Sequence, residues 1–228
     1  MKRFYKSASV SDANAILLDG RAVKTPGGNP LALPTRALGE AIAQEWAGQG
    51  DQVVPATMPL TRIANTAIDS IAAAREAVID QVAAYGGTDL LSYRAEGPDV
   101  LVIRQAKAWD PLLDWAHETH GARLAVTAGV MHVAQNEAVL AALRAAVAGH
   151  SEFGLVPLHA ITSLTGSLVL ALAVAAGRLD AAQAFALSRI DEEFQAEKWG
   201  TDAEAEARAR THAEELETAA KFLRLLAA

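Results

Sequence analysis

The hydrophobic pattern of the chain changes its period once, near residue 35, and this change limits the fold more than any other feature. Before it, short apolar runs are separated by turn residues, as in a small antiparallel sheet. After it, apolar residues recur mainly at steps of three, four and seven, as they do on the buried faces of helices. The pattern therefore predicts a short β segment followed by a much longer helical segment.

The β segment contains a hairpin signal at Asp19-Gly20. Short apolar runs over residues 16–18 and 22–24 flank this pair, and Asp-Gly suits a tight turn in which both central residues need positive φ. Two further strands are expected over residues 3–9 and 31–33.

The helical segment begins at Thr35, a suitable N-cap for a helix that carries Leu38, Ile42 and Trp46 on one face. Thr201 and Glu204 have the spacing of a capping box for the last helix. Other helices are predicted over residues 60–85, 100–119, 136–148, 158–176 and 181–198. The predicted fold class is α+β and predominantly helical, with a small N-terminal α/β domain over residues 1–58 and a larger all-helical domain over residues 59–228.

Residues 153–177 contain no Asp, Glu, Lys or Arg, which raises the question of a membrane span. The stretch also contains Pro157, His159 and several Ser and Thr residues, and its apolar tail, residues 168–176, is short and half alanine. This polar content favours a buried helix over a stable insertion into a bilayer.

Composition excludes several classes of protein. The chain has no cysteine, so disulfides, thiolate metal sites and thiol nucleophiles are absent. With 20 Lys and Arg against 27 Asp and Glu, the net charge of −7 makes it a poor general binder of nucleic acid. The basic first residues are not followed by an apolar region, so a secretory signal is not expected. The chain is expected to be a bacterial cytoplasmic protein or a mature organellar one.

Motifs for common chemistry are missing. No glycine-rich loop is followed by Lys and Ser or Thr, so nucleotide binding by a standard loop is not expected. His117 and His120 are three residues apart, which is not the spacing of the helical zinc motif, and the other histidines are scattered. We therefore predict no catalytic residue, no metal site and no cofactor.

An acidic and aromatic cluster over residues 187–200 is the most unusual feature. On a helix, Leu187, Ile190 and Phe194 would form an apolar stripe, with Asp191 on one side and Glu193 and Glu197 on the other. Arg189, one turn before Glu193, would offset part of the negative charge. From spacing alone, this cluster is either a solvated acidic flank or a contact surface for a basic partner.

The chain resembles a known family through a set of short motifs that occur in family order along nearly its whole length. They are Arg3-Phe4-Tyr5-Lys6, Leu18-Asp19-Gly20-Arg21, Lys24-Thr25-Pro26, Glu45-Trp46, Met58-Pro59-Leu60-Thr61, Thr88-Asp89-Leu90-Leu91, Tyr93-Arg94, Trp109-Asp110-Pro111-Leu112, Thr165-Gly166-Ser167-Leu168 and Glu197-Lys198-Trp199-Gly200. The family is that of the F1-ATPase α-subunit assembly chaperones of mitochondria and α-proteobacteria. Any one motif is weak, whereas the ordered set is specific.

The resemblance implies a chaperone that binds the unassembled α subunit and hydrolyses no nucleotide. It also implies an essential acidic residue in the C-terminal helical region. Glu193 and Glu197 are the leading candidates and Glu192 follows, with Asp191 and Trp199 in the same partner-binding cluster. The family's Glu45-Trp46 pair is expected to be structural or to contact the partner, and Trp46 suits the core better. The lack of the leader found in mitochondrial members, which work in the matrix, indicates a bacterial, cytoplasmic protein.

Two other functions remain open at this point. The chain could be an enzyme of unknown reaction that uses His117 or His159 in a pocket between helices. It could also be a membrane-associated factor that uses residues 153–177.

Overall fold

The N-terminal part of the chain forms a three-stranded antiparallel sheet. A computed structural model describes all 228 residues, and its first strands, in sheet order, are β1 (Ala8–Val10), β2 (Ile16–Leu18) and β3 (Arg21–Ala22). Asp19 and Gly20 join β2 to β3 with φ angles of 48° and 79°. The predicted hairpin is therefore confirmed.

The outer strands are shorter than predicted. Residues 3–7 do not pair as a strand, because the backbone N–H groups of Lys6 and Ser7 donate to the carboxylate of Asp19 instead. Residues 31–33 make only an isolated bridge, between Ala15 and Ala32, and Pro30 just before them has no N–H to donate.

The first helix, α1 (Arg36–Ala47), begins where the change of period predicts it. The Thr35 hydroxyl accepts a hydrogen bond from the Leu38 N–H, so the predicted N-cap is confirmed. The helix packs on β1 and buries Leu38 and Ile42 in a core shared with Ile16 and Phe222.

Nine further helices make the fold predominantly helical. They are α2 (Pro59–Thr66), α3 (Ala72–Ala83), α4 (Asp99–His120), α5 (Glu137–Ala148), α6 (Glu152–Thr165), α7 (Leu168–Ala175), α8 (Ala181–Ser188), α9 (Ile190–Trp199) and α10 (Ala203–Leu226). A π-helical turn over Ala67–Ile71 joins α2 to α3. Two short parallel strands, β4 (Tyr93–Arg94) and β5 (Thr127–Ala128), complete the α+β fold.

Two predicted single helices are each a pair of helices. The helix predicted over residues 158–176 is broken at Gly166, whose φ is +67°, and Ser167 caps the new helix by accepting from the Leu170 N–H. The helix predicted over residues 181–198 is broken at Arg189, where φ is −117° and ψ is 18°. In both places the apolar pattern of the sequence continues although the helix is interrupted.

The predicted capping box of the last helix is wrong. Asp202, and not Thr201, accepts from the N–H groups of Glu204 and Ala205 at the start of α10. A capping box occurs instead at α8, where Asp180 and Gln183 bond to each other's backbone.

The charge-free stretch is explained by burial. Every residue of α7 from Leu168 to Val174 is buried. No helix of the protein combines the length and the apolar character that crossing a bilayer requires.

The chain packs into two compact units. The first consists of Met1–Arg75, Ser151–Pro157 and Lys221–Ala228, and the second of Glu76–His150 and Leu158–Ala220. The predicted domains, residues 1–58 and 59–228, stay a prediction, because packing units are not a test of which segment folds alone.

Candidate partner-binding surface

Helix α9 brings together the acidic and aromatic residues of the predicted cluster. Ile190 and Phe194 are buried, with Asp191 on one side of this apolar stripe and Glu193 and Glu197 on the other, while Glu192 lies opposite it. Three of them, Asp191, Glu192 and Glu193, occupy the first turn, where the helix dipole favours negative charge.

Asp191 is held in place from α4. The Gln105 side-chain amide, which is fully buried, donates from Nε2 to Asp191 Oδ1 at 2.6 Å. The other end of this amide accepts from the Ala95 N–H at 2.8 Å. Because the amide is fixed at both ends, the half-buried Asp191 carboxylate has a defined position beside α4.

Glu197 forms a two-pronged ion pair with Arg104 of α4, with N–O distances of 2.7 and 2.9 Å. The hydrogen bonds from Arg104 lower the pKa of Glu197, and the bond to Glu197 raises the pKa of Arg104, with a smaller contribution from the charge of Glu193. The Arg104 guanidinium also lies 5.5 Å from the centre of the Phe194 ring.

The expected compensation by Arg189 does not occur. Its guanidinium lies over the Phe185 ring, 5.4 Å from the ring centre. The cation that meets the acidic flank comes from α4, more than 80 residues earlier in the chain, and spacing within α9 gave no sign of it.

Glu192 and Glu193 are exposed, and their carboxylates make neither a hydrogen bond nor an ion pair within the chain. These two acceptors are therefore available to a basic partner.

Both α4 and α9 carry exposed apolar side chains. Trp199 is 76% exposed, Ile103 66% and Val100 55%. Helix α4 packs against α9, where Arg104 meets Glu197 and Gln105 meets Asp191. It also contacts the end of α8, because Trp109 Nε1 donates to the Leu187 carbonyl at 2.9 Å.

We call this set of residues on the two packed helices the α4–α9 surface: Val100, Ile103, Arg104, Asp191, Glu192, Glu193, Glu197 and Trp199. Sequence reasoning missed Val100 and Ile103. The signal was available, because they are apolar and three apart on the face of α4 opposite the buried Leu101 and Gln105.

Glu45 and Trp46 lie in the first compact unit and are not part of the α4–α9 surface. The Glu45 carboxylate caps α2: Oε1 accepts from the Leu60 N–H at 2.7 Å, and Oε2 accepts from the N–H and hydroxyl of Thr61 at 2.8 and 2.7 Å. Trp46 is half-buried and packs edge-on against the Tyr5 ring at 5.7 Å.

The histidines do not assemble a site. His117 lines a small cleft of about 160 Å³ together with Asp110, Asp114 and Arg123. Burial lowers the pKa of His120. No group of three or more His, Asp or Glu side chains is placed to hold a metal ion.

Comparison with known proteins gives a consistent result. The family model described as "ATP12 chaperone protein" matches residues 2–117. The mitochondrial protein atp12 of Schizosaccharomyces pombe is 24% identical over 215 residues, which cover 88% of this chain and 74% of that protein.

Solved structures extend the likeness over the whole chain. Atp12 from Paracoccus denitrificans is 50% identical with a TM-score of 0.94, and the match covers 99% of this chain and 98% of that one. The Atu1473 protein from Agrobacterium tumefaciens is 42% identical with a TM-score of 0.93, covering 99% of this chain and 86% of that one.

Proposed function

The chain belongs to the ATP12 chaperone family, and on that premise we propose that it binds the unassembled α subunit of F1-ATPase in the bacterial cytoplasm. It shields the surface with which the α subunit will meet the β subunit. It transforms no substrate and uses no cofactor or nucleotide.

The observation that carries the proposal is the composition of the α4–α9 surface. Exposed Trp199, Ile103 and Val100 offer apolar contact area, and the free carboxylates of Glu192 and Glu193 lie on the same helix pair. Large exposed aromatic residues are typical anchors of protein interfaces, and unpaired charges beside them select a partner of opposite sign. The surface therefore suits a partner that presents apolar side chains next to Lys or Arg.

The mechanism needs only competition between two interfaces. An unassembled subunit exposes apolar surface that associates promiscuously. A chaperone that covers this surface lowers the concentration of the aggregation-prone form by mass action. The β subunit then displaces the chaperone because the contact between α and β in the ring is the stronger one.

Charge reversal tests the proposal. We expect Glu193→Lys and Glu197→Lys each to reduce capture of the co-expressed F1 α subunit by a tagged copy of this protein by about tenfold or more. Glu193→Lys puts like charge against a basic partner, and Glu197→Lys in addition breaks the ion pair with Arg104 and leaves two cations side by side. Glu192→Lys is expected to have a smaller effect.

Glu214→Lys is the matched control, since Glu214 is an exposed carboxylate on α10 outside the α4–α9 surface. Capture and melting temperature of this variant should equal those of the wild type. If the Glu193 and Glu197 variants are folded and still capture the α subunit normally, the α4–α9 surface is not the contact.

A further inference from the structure

The first compact unit contains a cleft that the α4–α9 surface does not involve. Its volume is about 510 Å³, and its walls include the apolar side chains of Val23, Leu31, Val53 and Met58. We name it the Trp46 cleft, because Trp46 forms one of its walls. The volume is enough for one large apolar side chain with its flanking backbone.

Two polar atoms of this cleft are buried and have no hydrogen-bond partner: the indole nitrogen Nε1 of Trp46 and the amide oxygen Oδ1 of Asn65. Buried polar groups in native proteins are nearly always paired, so each unpaired one needs an explanation. One of these atoms is a donor and the other an acceptor, which is the complement of the C=O and N–H of a peptide backbone.

The hydroxyl groups of the cleft are already occupied. The Thr61 hydroxyl donates to Glu45, and the Thr25 hydroxyl donates to Asp69 at 2.6 Å. The unpaired donor and acceptor are therefore specific to Trp46 and Asn65 and are not a general property of the walls.

The exposed charges of the cleft are cations. Lys24 and Arg62 line it and are exposed without an ion pair, whereas the two nearest carboxylates, Glu45 and Asp69, lie behind the walls and are hydrogen-bonded to Thr61 and Thr25. An apolar ligand that also carries a carboxylate would fit the cleft, because its carboxylate could meet Lys24 and Arg62.

The edge that carries Lys24 is held rigidly. The Asp69 carboxylate accepts three hydrogen bonds from this turn: from the Thr25 hydroxyl at 2.6 Å, from the Gly27 N–H at 2.8 Å and from the Asn29 side-chain amide at 2.9 Å. These bonds lower the pKa of Asp69, so the carboxylate stays charged and keeps the turn closed at neutral pH. The turn that follows Lys24 is thus fixed in the free protein.

We propose that the Trp46 cleft is a second client-binding site, which takes an apolar side chain of a peptide segment that has an acidic residue next to it. The backbone of the segment pairs with Trp46 Nε1 and Asn65 Oδ1 once the side chains that cover these two atoms shift, and its carboxylate meets Lys24 and Arg62. The identity of the client rests on the proposed function, but the class of peptide follows from the cleft itself.

Methionine methyl NMR on the full-length protein tests this directly. The chain has three methionines, of which Met58 lines the cleft and Met131 lies in the second compact unit. The acetylated and amidated tripeptide Ala-Leu-Glu should shift the Met58 signal saturably at millimolar concentration and leave Met131 unmoved. Ala-Gly-Glu should give no shift, and Ala-Leu-Gln should bind more weakly.

Three variants identify the contacts. The double variant Lys24→Gln/Arg62→Gln should bind the tripeptide about threefold to tenfold more weakly, as expected for partly exposed ion pairs. Trp46→Phe keeps the ring but removes the N–H, and should also weaken binding. Lys221→Gln, an exposed cation of the same unit, should bind as the wild type does, and melting curves establish that each variant is folded.

The inference is overturned if Ala-Leu-Glu leaves Met58 unmoved, if all three tripeptides bind equally, or if only octanoate, an apolar carboxylate without a peptide bond, binds. The titration contains no α subunit, so its outcome is separate from that of the capture assay. If the α subunit is not captured while Met58 responds, the proposed function fails and the cleft remains a peptide site. If the α subunit is captured and Met58 does not respond, only the cleft fails.

Discussion

At the scale of residues, the structure separates acidic side chains that hold the fold together from those that face outward. Asp89 is fully buried and accepts from the Leu91 N–H, the Val169 N–H and the Ser167 hydroxyl, where α7 begins. Burial raises the pKa of Asp89, although these bonds oppose that shift. Glu45 has a comparable structural role at α2, whereas the carboxylates of Glu192 and Glu193 make no hydrogen bond or ion pair within the chain.

The cap role of Glu45 predicts a loss of stability on substitution. Glu45→Ala should lower the free energy of unfolding by about 1–2 kcal/mol, because it leaves the first N–H groups of α2 without an acceptor. Urea denaturation measures this change.

Glu40→Ala, which removes an exposed carboxylate from the same helix, is the control and should change stability by less than about 0.5 kcal/mol. If Glu45→Ala is as stable as the wild type but captures the α subunit more weakly, Glu45 is a contact residue instead.

At the scale of elements, the breaks between helices depend on single backbone conformations. Gly166 has a φ of +67°, and its carbonyl accepts from the Leu90 N–H at 3.0 Å. The break lets Ser167 and Asp89 satisfy the first N–H groups of α7 within a fully buried region. A continuous helix would leave no place for these caps.

Gly166→Ala tests the need for the left-handed conformation. A Cβ at this position would lie 3.9 Å from Leu90 Cβ, an ordinary contact, so the expected loss comes from the backbone alone. We expect the free energy of unfolding to fall by about 1–2 kcal/mol.

Gly50→Ala serves as the control, since Gly50 does not have a positive φ and has open space around its Cα. Its stability should stay within about 0.5 kcal/mol of the wild type. Equal stability of the two variants would show that the left-handed conformation at residue 166 is not required.

At the scale of the whole molecule, each of the two compact units carries a surface that could receive a client. The second unit carries the α4–α9 surface, with its acidic residues and Trp199, and the first carries the Trp46 cleft, with Lys24 and Arg62. Under the proposed function, the molecule acts by binding alone.

Suppression of aggregation provides the test at this scale. Light scattering of an isolated F1 α subunit should fall as the protein is added and level off near an equimolar ratio. The result should be the same with and without Mg-ATP, because occupancy of a shared surface sets the concentration of the free form. A requirement for ATP, or full protection at a small fraction of equimolar protein, would contradict binding alone.

The sequence by itself determined the features that depend on neighbours along the chain. The Asp19-Gly20 hairpin, the Thr35 cap and the apolar stripe of α9 follow from local backbone preference and helical spacing, so they could be predicted. The ordered motifs indicated the chaperone family, and this resemblance led to the proposed function.

The tertiary structure decided what depends on residues far apart in sequence. Arg104 meets Glu197 across 93 positions and Gln105 meets Asp191 across 86, and only packing of α4 on α9 brings these pairs together. The fold of the first unit leaves Trp46 Nε1 and Asn65 Oδ1 unpaired among the residues that line one cleft. Helical spacing reports which residues share one face of one helix, but it contains no information about which other element will cover that face.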